Sequence, residues 1–229
     1  MDRSDLVAAN GPIFVGQGKA IDAVASQDVK VITVGNPCNT NALIASANAP
    51  SIPPRQFTAM TRLDQNRAVG QIAKRAGVPA SEVQDVFIWG NHANTMYPDP
   101  RFATVGGKSA GELFDKDWLQ GDFLETVATR GKAIIMARGA SSAASAASAA
   151  VDHMRDWWQG SDGRIVSVAL PSEGWYGVPK GIVFSFPCRC EGGEVIVVDD
   201  LAVDTFAQTK IDENVTALLE ERDAVSELL

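Results

Sequence analysis

Basic residues and cysteines are scarce in this 229-residue chain, and each shortage excludes a class of protein. With 20 basic against 28 acidic residues the net charge is -8, which argues against a nucleic-acid partner and favours a small metabolite as ligand. Three cysteines are an odd number and do not resemble a disulfide framework. We therefore expect a reducing, cytoplasmic environment, and buried thiols rather than a metal site at Cys188 and Cys190.

Long apolar runs are also missing. No run approaches the ~18 residues that a membrane-spanning helix needs. The opening MDRSDLVAAN begins with charged residues, whereas a signal peptide has a basic and then an apolar segment. We expect no membrane association, and a chain of this length can bury a core without disulfide support.

Only two histidines are present, so the search for acid-base chemistry is short. His92 follows a short apolar run, residues 86–89, that predicts a buried strand broken by Gly90 and Asn91. A histidine there can exchange a proton near neutral pH if a neighbour holds its ring in one tautomer. His153 lies between Asp152 and Arg155, and we interpret it as a solvated or locally paired side chain.

The best neighbour for His92 lies in TRLDQNRA, residues 61–68, where Asp64 and Arg67 share a face at the start of a predicted helix. A carboxylate can accept the imidazole N–H, and an arginine beside it can grip a substrate carboxylate. Two simpler interpretations stay open. Asp64 can be a helix cap, and Arg67 can form only an ion pair with Asp64.

The hydrophobic pattern predicts an α/β protein that ends in an antiparallel meander. We expect the strand at 29–34 to be buried on both faces of a parallel sheet, and the first helix to kink or restart at Gly11-Pro12. The region 100–107 reads as an irregular loop. The predicted helices are 2–27, 39–48, 63–76, 118–130, 141–158 and 204–229, and the predicted strands are 29–34, 57–61, 86–89, 165–170, 182–187 and 195–198.

Three ordered motifs carry a family resemblance: VGNPCNTNALIAS at 34–46, TRLDQNRA at 61–68 and IWGNHANTMYPD at 88–99. In this order and spacing they closely resemble the NAD-dependent malate dehydrogenases of the cytosolic type, and the likeness continues to the C-terminus. The resemblance implies the second half of a Rossmann-like dinucleotide-binding sheet in residues 1–60. An α+β substrate domain, the catalytic C-terminal domain of lactate/malate dehydrogenases, would follow in residues 61–229.

The resemblance also implies NAD as cofactor, malate and oxaloacetate as substrates, and a homodimer. It makes His92 the catalytic base and Asp64 the residue that orients and stabilises its protonated ring. Either Ser141 or Ser142 would line the nicotinamide pocket, although close helix packing explains these serines equally well. The implied substrate-binding residues are Arg3, Asn36 and Arg67, and the implied cofactor-binding residues are Asn10, Gln17, Val34, Gly35 and Asn36.

The chain departs from the family at its start, because no strand with G-x-G-x-x-G precedes residue 29. FVGQGKAI, at 14–21, has isoleucine where the motif requires its last small residue. By resemblance roughly a hundred residues of the first nucleotide-binding half are missing, and with them an earlier substrate arginine. We therefore expect an exposed sheet edge and weak NADH binding, and a non-catalytic binding module is the alternative to an active enzyme.

Overall fold

The computed structural model describes residues 3–229, with side chains from Ala9 onward. Eight α-helices and ten short strands are found in this part of the chain. The helices are α1 (Arg3–Val24), α2 (Cys38–Ala47), α3 (Arg62–Ala76), α4 (Ala110–Leu113), α5 (Lys116–Gln120), α6 (Asp122–Arg138), α7 (Ala143–Gln159) and α8 (Thr205–Ala224). The strands are β1 (Val31–Thr33), β2 (Phe57–Ala59), β3 (Val83–Gln84), β4 (Phe87–Trp89), β5 (Tyr97–Asp99), β6 (Thr104–Val105), β7 (Lys108–Ser109), β8 (Val166–Pro171), β9 (Val183–Glu191) and β10 (Glu194–Val197).

One five-stranded sheet, in the order β1-β2-β8-β9-β10, joins the two halves of the chain. β1 and β2 are parallel, and β8, β9 and β10 form the antiparallel meander that the sequence predicts. The junction is the pairing of β2 with β8 through Ala59 and Ala169. The predicted fold class is confirmed, and a single mixed sheet carries both the parallel pair and the meander.

β1 differs from its prediction as a strand buried on both faces. It lies at one edge of the five-stranded sheet, so Val31 and Ile32 are only half-buried and Thr33 alone is buried. The first helix also differs, because α1 runs through Gly11 and Pro12 as one helix. A Cβ at Gly11 would lie 2.6 Å from Leu228 Cδ1, so the glycine allows close packing of α1 on the C-terminal segment.

The strand that leads to His92 is confirmed, and its three residues, 87–89, are fully buried. β4 is not part of the five-stranded sheet; it pairs antiparallel with β5. Its continuation is tied to that sheet at Gly90 and Ser185, which exchange backbone hydrogen bonds of 3.1 and 2.8 Å. The predicted loop at 100–107 instead contains β6, which pairs with β3 and β7.

α3 and α7, which flank the site, begin and end close to their predicted positions. α3 ends at Gly77, which has a left-handed φ of 72° that favours glycine. α6 is longer than predicted and follows two short helices, α4 and α5. α8 begins after Asp204, whose carboxylate accepts the Ala207 N–H. None of the described helices is long and apolar enough to cross a membrane.

Candidate active site

His92 and Asp64 are in direct contact, as the sequence predicts. Asp64 Oδ2 lies 2.5 Å from His92 Nδ1, the Asp64 side chain is fully buried, and 16% of the His92 side chain is exposed. A carboxylate accepts hydrogen bonds, so Nδ1 carries a proton and its N–H donates a hydrogen bond to Asp64 Oδ2. This arrangement fixes the ring orientation and leaves proton exchange to Nε2.

Arg67 completes the expected trio and also contacts α7. Its Nη1 donates to Asp64 Oδ1 at 3.2 Å, so the predicted ion pair is present, but it is not the whole role of this side chain. Its Nη2 donates to Ser142 Oγ at 3.2 Å. The cap interpretation of Asp64 is wrong, because Thr61 holds the N-cap position of α3 and the Asp64 carboxylate faces His92 and Arg67.

His92 and Arg67 line a cavity of about 380 Å³ at the carboxyl ends of β1 and β2. Val34 and Asn36 line it, and so does Met60, whose N–H donates to Thr33 O where the parallel pair ends. The remaining lining residues come from α3, the His92 loop, α6 and the start of α7: Leu63, Arg67, His92, Ala93, Asn94, Met96, Ala128, Gly131, Lys132, Ile135, Ser141, Ser142, Ala143 and Ala146.

The other predicted binding residues differ in how close they lie to this cavity. Asn10 Nδ2 donates to Asn36 O at 2.7 Å, which ties α1 to the end of β1. Gly35 is exposed beside Asn36. Gln17 is exposed on α1 and is not among the cavity-lining residues. The side chain of Arg3 lies outside the described residues.

Sequence reasoning missed Asn39, which fixes the backbone of His92. Asn39 Oδ1 accepts the His92 N–H at 3.1 Å, and its Nδ2 donates to Gly90 O and Val183 O at 3.2 and 3.0 Å. The side chain is buried in the first turn of α2. Its place after Pro37 suggested only the start of a helix.

The buried Asn214, on α8, holds the same loop from the opposite end of the sequence. Its Oδ1 accepts the Asn91 N–H at 3.1 Å, and its Nδ2 donates to Thr95 O at 2.6 Å. Gly90 permits this contact, because a Cβ there would lie 2.0 Å from Asn214 Oδ1 and φ is +93°. No local sequence signal links residues 91 and 214.

His153 is buried and bonds to a distant strand, contrary to its prediction as a solvated or locally paired side chain. It is 2% exposed on α7, and its Nε2 lies 3.1 Å from Thr58 Oγ1 on β2. Burial is the main cause that lowers the pKa of His153 to about 3, and the nearby Arg62 guanidinium lowers it further. His153 is therefore neutral near neutral pH and does not line the cavity.

Cys188 and Cys190 are buried thiols on β9, as the sequence predicts, and Cys38 is also buried. Burial raises the pKa of Cys188 well above its ordinary value and that of Cys190 to about 11. These thiols are therefore protonated near neutral pH and are poor nucleophiles.

Comparisons with known proteins cover the whole chain. Residues 1–58 match the family model described as lactate/malate dehydrogenase, NAD binding domain, and residues 61–229 match lactate/malate dehydrogenase, alpha/beta C-terminal domain. Malate dehydrogenase from Naegleria fowleri is 45% identical, with a TM-score of 0.95, over 100% of this chain and 71% of that one. Trichomonas vaginalis lactate dehydrogenase in complex with NADH and oxamate is 35% identical, with a TM-score of 0.94, over 99% of this chain and 71% of that one.

The fold, the cavity at the ends of the parallel strands and these matches define the chain as an α/β oxidoreductase. It belongs to the lactate/malate dehydrogenase family. NAD, the cofactor expected from the sequence, agrees with the NAD-binding domain that residues 1–58 match.

The residues present fit one end of a dinucleotide. Val34 is 42% exposed at the end of β1 and lines the cavity with Asn36, next to His92. The glycines at 16 and 18 lie inside α1, where a Cβ at Gly18 would meet Ala45 O at 2.4 Å. Gly18 therefore serves helix packing, whereas a Cβ at Gly16 would meet nothing within 4 Å. The side of the cavity formed by Val34 and Asn36 suits the nicotinamide end of the cofactor. In the part of the chain that the structure describes, no G-x-G-x-x-G turn is present to bind the pyrophosphate.

Proposed function

We propose that the chain interconverts malate and oxaloacetate with NAD, using His92 and Asp64 as the proton relay. The observation that carries this proposal is the 2.5 Å contact between His92 Nδ1 and a fully buried carboxylate at the wall of an open cavity. The 45% identity to a malate dehydrogenase supports the choice of substrate. We assign residues 1–60 to a partial dinucleotide-binding domain and 61–229 to the catalytic and substrate domain.

In malate oxidation His92 acts as the base. Its Nε2 takes the proton of the C2 hydroxyl while the C2–H bond breaks and a carbonyl forms. When bound, NAD supplies the acceptor for the hydride that leaves C2. Asp64 stabilises the imidazolium through the Nδ1 hydrogen bond, and the same proton returns from Nε2 to oxygen in the reverse direction.

Arg67 is the proposed clamp for one substrate carboxylate. Its guanidinium is planar and suited to a two-point contact, and its bonds to Asp64 and Ser142 hold it in place at the cavity wall. Asn36 lines the same cavity and is the proposed hydrogen-bond partner of the substrate. Arg3 is a further proposed substrate contact, which rests on the family resemblance alone.

The proposed cofactor contacts are those near the end of β1. Val34, Gly35 and Asn36 lie beside the cavity, and Asn10 is tied to Asn36 through its backbone oxygen. Gln17 is the fifth proposed contact, and its exposed position on α1 leaves it available. A cytoplasmic location and a homodimer complete the proposal; both rest on the resemblance.

Replacing His92 with alanine tests the function. We expect kcat for oxaloacetate reduction to fall by roughly 10²- to 10⁴-fold, because a positioned acid or base accelerates proton transfer by about this factor. The melting temperature should change little, because the His92 ring lies at the cavity surface and not in the core. Steady-state NADH oxidation and thermal unfolding are the two measurements. Near-normal turnover in the variant would show that His92 is not the catalytic base.

Lactate is the second candidate substrate, because the Trichomonas vaginalis relative is a lactate dehydrogenase at 35% identity. Comparing kcat/KM for oxaloacetate and pyruvate decides between the two. A folded wild-type chain that reduces neither compound would instead favour the non-catalytic binding module.

A further inference from the structure

Two basic side chains line the cavity at His92, and neither takes part in the proposed proton relay. Arg67 and Lys132 line it, and no acidic residue is among the described lining residues. Asp64 lies behind them, fully buried and already bonded to Arg67 and His92. In a chain with a net charge of -8, a cavity with two cations favours an anion with more than one negative charge.

Helical spacing places Lys132 on the cavity face of α6. The lining residues of this helix are Ala128, Gly131, Lys132 and Ile135, which follow the i, i+3, i+4, i+7 pattern of one helix face. A Cβ at Gly131 would lie 3.4 Å from Arg67 Nη2, so this face approaches the guanidinium closely. Lys132 is the next residue, and its flexible stem allows the ammonium to extend into the cavity.

Lys132 has no ion-pair or hydrogen-bond partner within the described residues. Two other lysines are engaged: Lys210 pairs with Glu213 at 2.8 Å, and Lys30 donates to Gly193 O at 2.5 Å. What distinguishes Lys132 from the exposed Lys74 is its place in the cavity wall. Arg67 is divided between Asp64 and Ser142. Lys132 is thus a cation of this cavity that no protein group neutralises.

We propose that Lys132 is a specificity-determining residue that binds the second carboxylate of a four-carbon dicarboxylate whose first carboxylate lies on Arg67. This inference rests on the proposed function and names what selects its substrate. Malate and oxaloacetate carry two carboxylates, whereas lactate and pyruvate carry one. Lys132 therefore favours the dicarboxylates and contributes little to binding of the monocarboxylates.

The test compares malate and lactate binding by isothermal titration calorimetry, with NADH present so that neither compound is oxidised. The variants are Lys132→Met, which keeps the stem and removes the charge, and Lys132→Arg, which keeps the charge. Lys74→Met, at an exposed position of α3 outside the cavity, is the matched control. We expect Lys132→Met to weaken malate binding about 10-fold and lactate binding less than about 2-fold, the effect of one charge-assisted hydrogen bond.

Lys132→Arg and Lys74→Met should both bind malate within about 3-fold of wild type. Equal losses for malate and lactate in Lys132→Met, or no loss for malate, would overturn the inference. If malate turnover still depends on His92 in that case, the proposed function stands without it. A wild-type chain that neither binds nor reduces dicarboxylates overturns both the function and the role of Lys132.

Discussion

The two histidines occupy similar chemical neighbourhoods but differ in the group that bonds to the imidazole. His92 lies beside Asp64 and Arg67, and His153 lies near Asp156 and Arg62. At the cavity, Asp64 bonds directly to the imidazole. In the core, Asp156 bonds to Arg62 at 2.8 Å and to Arg164 at 3.0 Å, and the imidazole bonds only to the Thr58 hydroxyl among the described residues.

The difference shows that the partner of the carboxylate decides what a histidine can do. A carboxylate that accepts an imidazole N–H directly, as Asp64 does beside Arg67, stabilises the charged ring. A carboxylate that bonds to arginines and not to the imidazole does not offset the cost of burying a charged ring. His153 is accordingly locked in its neutral form by burial and Arg62. Proton transfer needs the arrangement at His92, where the ring is also partly exposed.

The largest expected effect comes from removing the charge at the His92 site. Asp64→Asn should lower kcat roughly 10²-fold or more, because an amide cannot stabilise the imidazolium or fix its tautomer in the same way. Asp152→Asn is the matched control, since Asp152 and Arg155 form another i,i+3 pair, 3.1 Å apart, away from the cavity. Stopped-flow NADH oxidation measures the effect. Turnover within about threefold of wild type in Asp64→Asn would remove the functional half of the comparison.

A second, smaller effect concerns the buried histidine and the pH dependence of stability. The folded pKa of His153 is lowered from 6.5 to about 3, so only the unfolded chain binds this proton between those values. The unfolding free energy is therefore highest above pH 6.5, where the ring is neutral in both states, and it decreases as the pH falls toward 3. Relative to His153→Gln, the wild type should lose about 1.4 kcal/mol of unfolding free energy between about pH 7.5 and about pH 5.5.

Urea unfolding of both chains at the two pH values measures this loss, and the variant cancels the titration of the carboxylates common to both. Parallel changes in wild type and His153→Gln would contradict a buried neutral ring. Turnover near neutral pH should stay within about twofold in any His153 variant that folds, because His153 does not line the cavity and its hydrogen bond within the described residues is to Thr58.

The smallest expected effect concerns how the arginine of the His92 site is held. Ser142→Ala removes the acceptor of Arg67 Nη2, which should raise KM for oxaloacetate about 2- to 10-fold with little change in kcat, because one hydrogen bond is worth about 0.5–1.5 kcal/mol. Ser145→Ala, at an exposed position of α7, is the control. A fall in kcat with unchanged KM would mean that Ser142 acts on the proton relay and not on the clamp.

The sequence was sufficient to predict that Asp64 contacts His92 and that Arg67 lies on the same helix face as Asp64, because spacing in one helix and a strand end restrict where these side chains can lie. It could not predict Asn39, Asn214 or Lys132. An asparagine near a helix start has a common local explanation, and a single asparagine or lysine on a helix face carries no sign of what faces it. Their roles depend on contacts between distant parts of the chain.

The errors in the fold have the same origin. The apolar pattern of β1 predicts a strand but not its place at the sheet edge, which depends on the neighbours that the other strands supply. His153 has charged neighbours in sequence, so it resembled a solvated residue. Its burial follows from the packing of α7 near β2, where Thr58 meets the ring.

The contact between Asn214 and Asn91 has a consequence for the order in which the chain is made. The two residues are 123 positions apart. At ~5–20 residues per second, Asn214 is added roughly 6–25 seconds after Asn91. A nascent chain thus contains His92, Asp64 and Arg67 well before α8, the helix that restrains the histidine loop, and the site reaches its final geometry only after α8 has been made.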